Sequence, residues 1–493
     1  MLYMRIGISM IIGLYTSRVI LNALGAEGYG IFNVVGGVVV MLGFFNSSIG
    51  TSTQRFLNVG MRNSGGRSMT TIFSTAINVH FIIGLITVLM LETAGIWFLR
   101  NKLVIPDGLE STAMWVYQCS VLSFFIGIIS APYNAAIVAY EKMSIYAVLS
   151  ILECVLKLGV ALCILYFGSN KLRLYALLLL CTSVIMRFAY SMYCRHLFKD
   201  IRYRLVWDFE LLKKMMSFSG WMVFGCIADL LGTQGVNMLI NIYFGPIMNA
   251  ARAIGMQVYG VIAQFYTSFT ISVNPQITKS YAGKEYDYCY NLVFTSTKLI
   301  FFLMVIFIIP ISLRSDQILV LWLKQVPPLT PLIVNLILIE ALVRSSYGPL
   351  AQVCFASGKI RTYQLLIAFL FLTTFIVTYL LFDFGASVIS TFVLSIITAI
   401  IGLGVRLLVI NKEQHFPIKQ YIKHVWARIY SAGMLSLIVA WFFGRLLPYN
   451  IVGLIALTLI SFVTTVAAMW FIGLSEIERA FFSNKIKGAL SKL

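Results

Sequence analysis

Long apolar runs, one after another, constrain this chain more than any motif in it. A helix needs roughly 20 mostly apolar residues to cross the hydrocarbon core of a bilayer. On that rule the 493-residue sequence predicts fourteen spans. The first seven lie at 1–24, 31–54, 70–99, 113–139, 145–168, 174–197 and 215–241. The others lie at 249–274, 290–313, 329–357, 361–382, 386–410, 428–447 and 451–473. Glycine and proline punctuate the breaks, as at Gly25–Gly30, Pro106–Gly108, Gly245-Pro246 and Pro327-Pro328. Hydrophobic residues make up 60% and charged ones 11%, against about 25% charged in soluble domains. A water-soluble enzyme, a disordered chain and a disulfide scaffold are excluded on that count. The expected fold class is all-α and polytopic.

The chain carries 37 Lys and Arg against 18 Asp and Glu, a formal charge of +19. In a soluble protein that balance points to nucleic acid. Here it reads as positive-inside loop bias, and no nucleic-acid partner is expected. With the amino terminus inside, the inner loops and ends collect 23 of the basic residues and the outer loops seven. Both termini are therefore expected in the cytoplasm. Eight cysteines sit singly in or beside apolar segments, and four histidines show no metal-ligand spacing. They read as helix packing, so neither a metal nor an organic cofactor is expected. Nothing resembles a cleavable signal peptide, and the first span itself would direct insertion.

A weak internal repeat organises the spans. Pro132, Ala139, Lys142 and Tyr146 recur as Pro349, Ala356, Lys359 and Tyr363, an offset of 217 at all four positions. Gly25 recurs as Gly245 at an offset of 220. Spans 1–6 and 7–12 thus read as two parallel six-helix lobes, residues 1–200 and 201–427. Two extra spans at 428–474 and a basic cytoplasmic tail at 475–493 follow. Transporters of this build bind substrate between their lobes.

Polarity is concentrated on corresponding helices. At 100° per residue, Asn33, Gly37, Ser48, Thr51 and Arg55 share a narrow arc of span 2. On span 8, Arg252, Gln257, Gln264, Thr267, Ser268, Thr270 and Asn274 occupy one half of the helix. Span 1 adds Thr16, Ser17, Arg18 and Asn22, and span 7 adds Asp229, Thr233, Gln234 and Asn237. These stripes are expected to line a cavity. Helix–helix hydrogen bonding is the bland alternative.

An ionised side chain at mid-bilayer costs roughly 2.5–3.5 kcal/mol on insertion scales. Glu153–Lys157 and Glu340–Arg344 are i,i+4 pairs with the acid first, the favourable order, and are expected to be structural. Arg406 and Lys298 are expected to snorkel from helix ends. That leaves Arg18, Arg187 and Arg252, with Arg55 at the mouth, against Asp229 and Glu92. A cavity with surplus guanidinium favours an anionic guest, and the guanidinium fork suits phosphate. No Walker A sequence, G-x-S-x-G or H-E-x-x-H occurs, and the carboxylate runs of metal-dependent glycosyltransferases are missing. No enzymatic activity is expected.

The stretch LYTSRVILNALGAEGYGIFNVVGG from Leu14 to Gly37, followed by Thr53-Gln54-Arg55-Phe56, resembles the start of Wzx-type polysaccharide flippases. These belong to the multidrug/oligosaccharidyl-lipid/polysaccharide exporter superfamily. The resemblance spans the whole chain: twelve helices in two lobes, two extra helices, and the Pro…Ala…Lys ending of spans 4 and 10. It implies alternating-access movement of an undecaprenyl-diphosphate-linked oligosaccharide across a bacterial inner membrane, for surface polysaccharide such as O-antigen or lipopolysaccharide. It implies membrane lipids and a polysaccharide polymerase as partners, with Arg18, Arg55 and Arg252 placed where related lipid II flippases carry cavity arginines. The coupling ion or potential is left open. Family members begin with a dozen or so polar and basic residues, whereas this sequence starts Met1-Leu2-Tyr3-Met4-Arg5, so a late start or a short first helix is expected. The alternatives are a drug or cation antiporter of the same superfamily, whose chemistry needs unpaired carboxylates, and a membrane-embedded glycosyltransferase or polymerase.

Overall fold

The computed structural model describes residues 2–40, 42–62, 68–101, 108–166, 170–198, 200–323, 326–414, 416–480 and 483. Among these residues the chain is helical with short turns and contains no strand. Ten helices are long and apolar enough to cross a membrane, eleven when the bent pair Thr330–Ser345 and Gly348–Ser357 counts as one span. The three remaining stretches of the expected fourteen are helical too, within Leu2–Val40, Gly43–Arg62 and Val236–Ala282, but fall outside that set. For 249–274 the reason is its polar stripe, which dilutes the apolar content. The protein is thus a multi-pass membrane protein, with the count of fourteen not reproduced. Most of the 475–493 tail lies outside the described residues.

The repeat is visible in the backbone. Gly25 (φ 70°, ψ 173°) breaks the helix Leu2–Val40, and Gly245 (φ 75°, ψ −176°) breaks Val236–Ala282. Both fall in a region that only glycine occupies at low cost. The same residue thus ends the first helix of each half in the same conformation. Further on, Glu141 (φ 58°) and Gly358 (φ 78°) turn the chain after spans 4 and 10, again 217 residues apart.

Two compact units emerge, Met1–Cys226 and Ile227–Leu493. The division falls inside the helix Phe209–Leu230 rather than at 200/201. Ile201, Leu211 and Met215 explain the shift, because they are buried with Phe73, Tyr133 and Ile137 in the core of the first unit. Phe218 stands edge-on to Phe56 there. The first half of span 7 therefore belongs by packing to the first unit.

Spans 13 and 14 are no separate appendage, since Ile429, Ala432, Ala440 and Leu457 share one core with Phe301, Phe302 and Leu407. Charged groups tie them in. Lys298 pairs with Glu478 at 2.7 Å, with side chains 3% and 14% exposed. Arg314, also buried, donates to the Gly444 and Leu447 carbonyls at 2.8 and 3.0 Å, capping the end of span 13. Lys298 therefore does not snorkel. Nor does Arg406, which is buried with Nε donating to the Tyr363 hydroxyl, Nη1 donating to the Gly402 carbonyl, and its guanidinium 3.9 Å from the Tyr347 ring centre. In both cases a partner more than 40 residues away, Glu478 for Lys298 and Tyr363 for Arg406, stands close enough in space to make burial cheaper than reaching for water.

Candidate functional site

In the second unit a cavity of about 350 Å³ opens between spans 7, 8, 10, 11 and 12. That volume holds about ten waters. Span 7 reaches it through a π turn, Leu231–Gly235, of the kind that often marks functional positions. Asp229 lines the cavity one turn before, and the Thr233 carbonyl within the turn accepts from Arg252 Nη2 at 3.0 Å. From span 10, Arg344 Nε donates to Glu340 Oε1 at 2.8 Å, and both side chains face the same space. Asp229 lies within electrostatic reach of Arg344 and Glu340. Two carboxylates and two guanidiniums thus share one wall. The Glu340–Arg344 pair is part of this site rather than remote framework.

Hydroxyls form another part of the lining. Thr374, Thr391, Ser395 and Thr398 supply it, with Thr374 and Thr398 hydrogen-bonded at 3.0 Å and Thr378 and Thr391 at 3.1 Å behind. The sequence reading missed these residues. The signal was present, because Thr374/Thr378 and Thr391/Ser395/Thr398 recur at helical spacing in otherwise apolar helices. Such hydroxyls accept and donate without charge, so this part of the lining suits water, an ion or a polar head group alike.

In the first unit the sequence candidates divide. The side chains of Arg18 and Asn33 lie outside the described residues. Arg55 is half-buried with its guanidinium 4.9 Å from the Phe56 ring centre and 5.0 Å from that of Phe218. Arg187 stacks 4.2 Å over Tyr133, and its buried Nη1 has no hydrogen-bond partner among the described residues. Ser48, 1% exposed, donates to Cys226 Sγ at 3.1 Å, and the Thr51 hydroxyl is returned to the Ser47 carbonyl. Ser48 is thereby tied to span 7 within the first unit. Glu92 accepts from Gln118 at 3.1 Å.

On span 8, Gln257 and Gln264 are exposed and Asn274 is half-buried, its carbonyl taking the Thr278 hydroxyl. Glu153 and Lys157 pair at 2.6 Å with side chains 38% and 50% exposed. No group of His, Cys, Asp and Glu suited to a metal ion occurs among the described residues.

No family model matches the chain, and no curated protein does. Solved structures do. A proline-to-alanine variant of a MATE protein superposes with a TM-score of 0.70 at 12% identity, covering 83% of this chain and 96% of that one. A Vibrio cholerae MATE transporter, VcmN, in an aspartate-to-asparagine form gives 0.69 at 14%, covering 84% and 96%. A transporter of the MOP superfamily from Pyrococcus furiosus, described as having a binding pocket of reversed polarity that suggests a different function, gives 0.66 at 12%, covering 83% and 94%. At such identities the likeness defines the fold. This is a MATE-like fold of two lobes.

Proposed function

We propose that the chain is a transporter that carries an anionic, phosphate-bearing lipid-linked oligosaccharide across the bacterial inner membrane, both termini being cytoplasmic, by alternating access. The observation that carries this reading is the uneven answering of charge. Glu340 and Glu153 each hold a cation at hydrogen-bond distance, whereas Arg187 Nη1 is buried without a hydrogen-bond acceptor among the described residues. Arg18, Arg55, Arg187 and Arg252 are the residues proposed to meet the diphosphate. Guanidinium over a ring keeps its charge in an apolar setting while leaving N–H donors in its plane for phosphate. Membrane lipids keep the apolar tail, and a polysaccharide polymerase would take the product.

A second reading, a drug or cation antiporter, is favoured by two observations. The solved structures of like fold carry the MATE name, and the carboxylates of Asp229 and Glu340 line the cavity of the second unit. Surface-polysaccharide display in a flippase-deleted host, normalised to chain in the membrane, separates the two. Each charge-assisted contact to phosphate is worth about 1.5–3 kcal/mol, so Arg187→Ala and Arg252→Ala are expected to lower display about tenfold or more at normal abundance. Arg187→Lys is expected to rescue in part. Normal display by the Ala variants, with Asp229→Asn alone inactive, gives the antiporter the lead.

A further inference from the structure

Span 10 breaks where its repeat partner does not. Pro132 sits inside a continuous helix, Glu110–Ala139, while at Pro349, its counterpart 217 residues on, the helices Thr330–Ser345 and Gly348–Ser357 meet at 42°. A proline removes one amide and crowds the preceding turn, so both sites are weak points. The freed backbone at the second is taken up by side chains from span 13, which in the structure begins earlier than expected and runs Ile418–Leu446. The Tyr421 hydroxyl donates to the Ser346 carbonyl at 2.6 Å, and the Tyr430 and Ser346 hydroxyls lie 3.2 Å apart. Tyr421 is fully buried among Phe294, Phe416 and Trp426, so its hydroxyl is held in a fixed place.

The bend has a reader on its other side. Tyr347, at the break itself, lies under the Arg406 guanidinium, and Arg344, three residues earlier, lines the cavity. Arg344 and Arg406 also face a small space of about 10 Å³, room for one water, beside Tyr347.

We infer that Tyr421 is a positioning residue: span 13 clamps span 10 in its bent form and so sets where Glu340 and Arg344 stand on the cavity wall. This gives span 13, outside the repeat, a task. It braces the hinge of the second unit, while Pro132 at the same place in the first unit lies in an unbroken helix. The claim about the bend stands without the transport reading; the claim about rate rests on it.

The test is Tyr421→Phe in the full chain, which keeps the ring and removes only the hydroxyl. Spin labels carried by unnatural amino acids at Leu332 and Lys359 report the bend. At 1.5 Å per residue, straightening lengthens their separation by about 3 Å. The expected result is a longer or broader distance distribution at normal membrane abundance, with polysaccharide display per molecule down several-fold. An unchanged distribution overturns the clamp and leaves the break to Gly348-Pro349 alone. A changed distribution with unchanged display keeps the clamp and overturns its effect on rate. If Tyr421→Phe does not accumulate, Tyr430→Phe carries the same decision with a smaller shift in the same direction.

Discussion

Among the described residues, Arg55 and Arg187 of the first unit stand against aromatic rings, while the membrane cations of the second unit stand mostly on oxygen. Arg187 lies on Tyr133 and Arg55 between Phe56 and Phe218, while Arg344 holds Glu340, Arg252 a carbonyl, and Lys298 the Glu478 carboxylate. Arg406 and Arg344 use both kinds of partner. A ring face answers the charge and takes up no N–H, whereas a carboxylate answers the charge and takes the donors as well. Arg187 Nη1 is thus held without a hydrogen-bond acceptor among the described residues, whereas Arg344 is held against a carboxylate.

The largest effect is expected where satisfaction is driest. Glu478 closes the amino end of the last short helix through the Ser475 amide and hydroxyl, accepts from Thr295, and pairs with Lys298. Glu478→Gln leaves Lys298 charged and buried, for a loss of about 3–5 kcal/mol read as thermal melting in detergent. Burial alone pushes this carboxyl up, but Lys298 and the Ser475 and Thr295 donors outweigh it and hold it below the ordinary carboxylate value of 4.5. The stabilisation is therefore full above about pH 4.5 and lost as the pH falls through the lower folded value. A melting temperature that does not fall between neutral pH and pH 3, beyond what Glu478→Gln itself shows, contradicts this account.

Next comes the cavity pair. Glu340 and Arg344 are 18% and 33% exposed, wetter than Lys298 and Glu478, so each single neutralisation is expected to cost about 1.5–3 kcal/mol. Glu340→Gln with Arg344→Met together is expected to cost less than the worse single change, because no lone charge remains. Membrane abundance across the double-mutant cycle measures this. A double variant no better than the worse single would mean that Asp229 and Arg252 have already absorbed the imbalance.

The smallest effect is expected at Glu153–Lys157, whose side chains are 38% and 50% exposed at mid-span. Facing water, such a pair contributes about 0.5 kcal/mol, and Lys157→Gln would barely move the melting curve. Facing hydrocarbon, the lone Glu153 left behind costs roughly 2.5–3.5 kcal/mol. The expected outcome is the small one. A large loss would show that the first unit also keeps an ion pair against lipid.

Much of this architecture was legible in the sequence because it is local. Hydropathy gives the helices, and Gly25 and Gly245 announce their breaks. The i,i+4 spacing of Glu340 and Arg344 announces their pairing. The fates of Arg406, Lys298 and Arg314 were not legible, since each depends on a partner chosen by tertiary packing. The break at Tyr347 hid for a similar reason: Pro132 shows that a proline in this context is compatible with an unbroken helix. The hydroxyl wall of spans 11 and 12 was readable but quiet, because threonine in a membrane helix usually bonds its own backbone.

The two glycine breaks have a consequence for anyone mapping tolerance to change along the chain. A Cβ at Gly25 or Gly245 meets nothing within 4 Å among the described residues, so the penalty there is mainly torsional, about 1–3 kcal/mol. Saturation mutagenesis will therefore show two columns that are nearly blind to residue size, 220 positions apart. They form an internal ruler. Laying the first half of such a map over the second in that register turns each mismatch into a record of where the duplicated halves have since parted in duty.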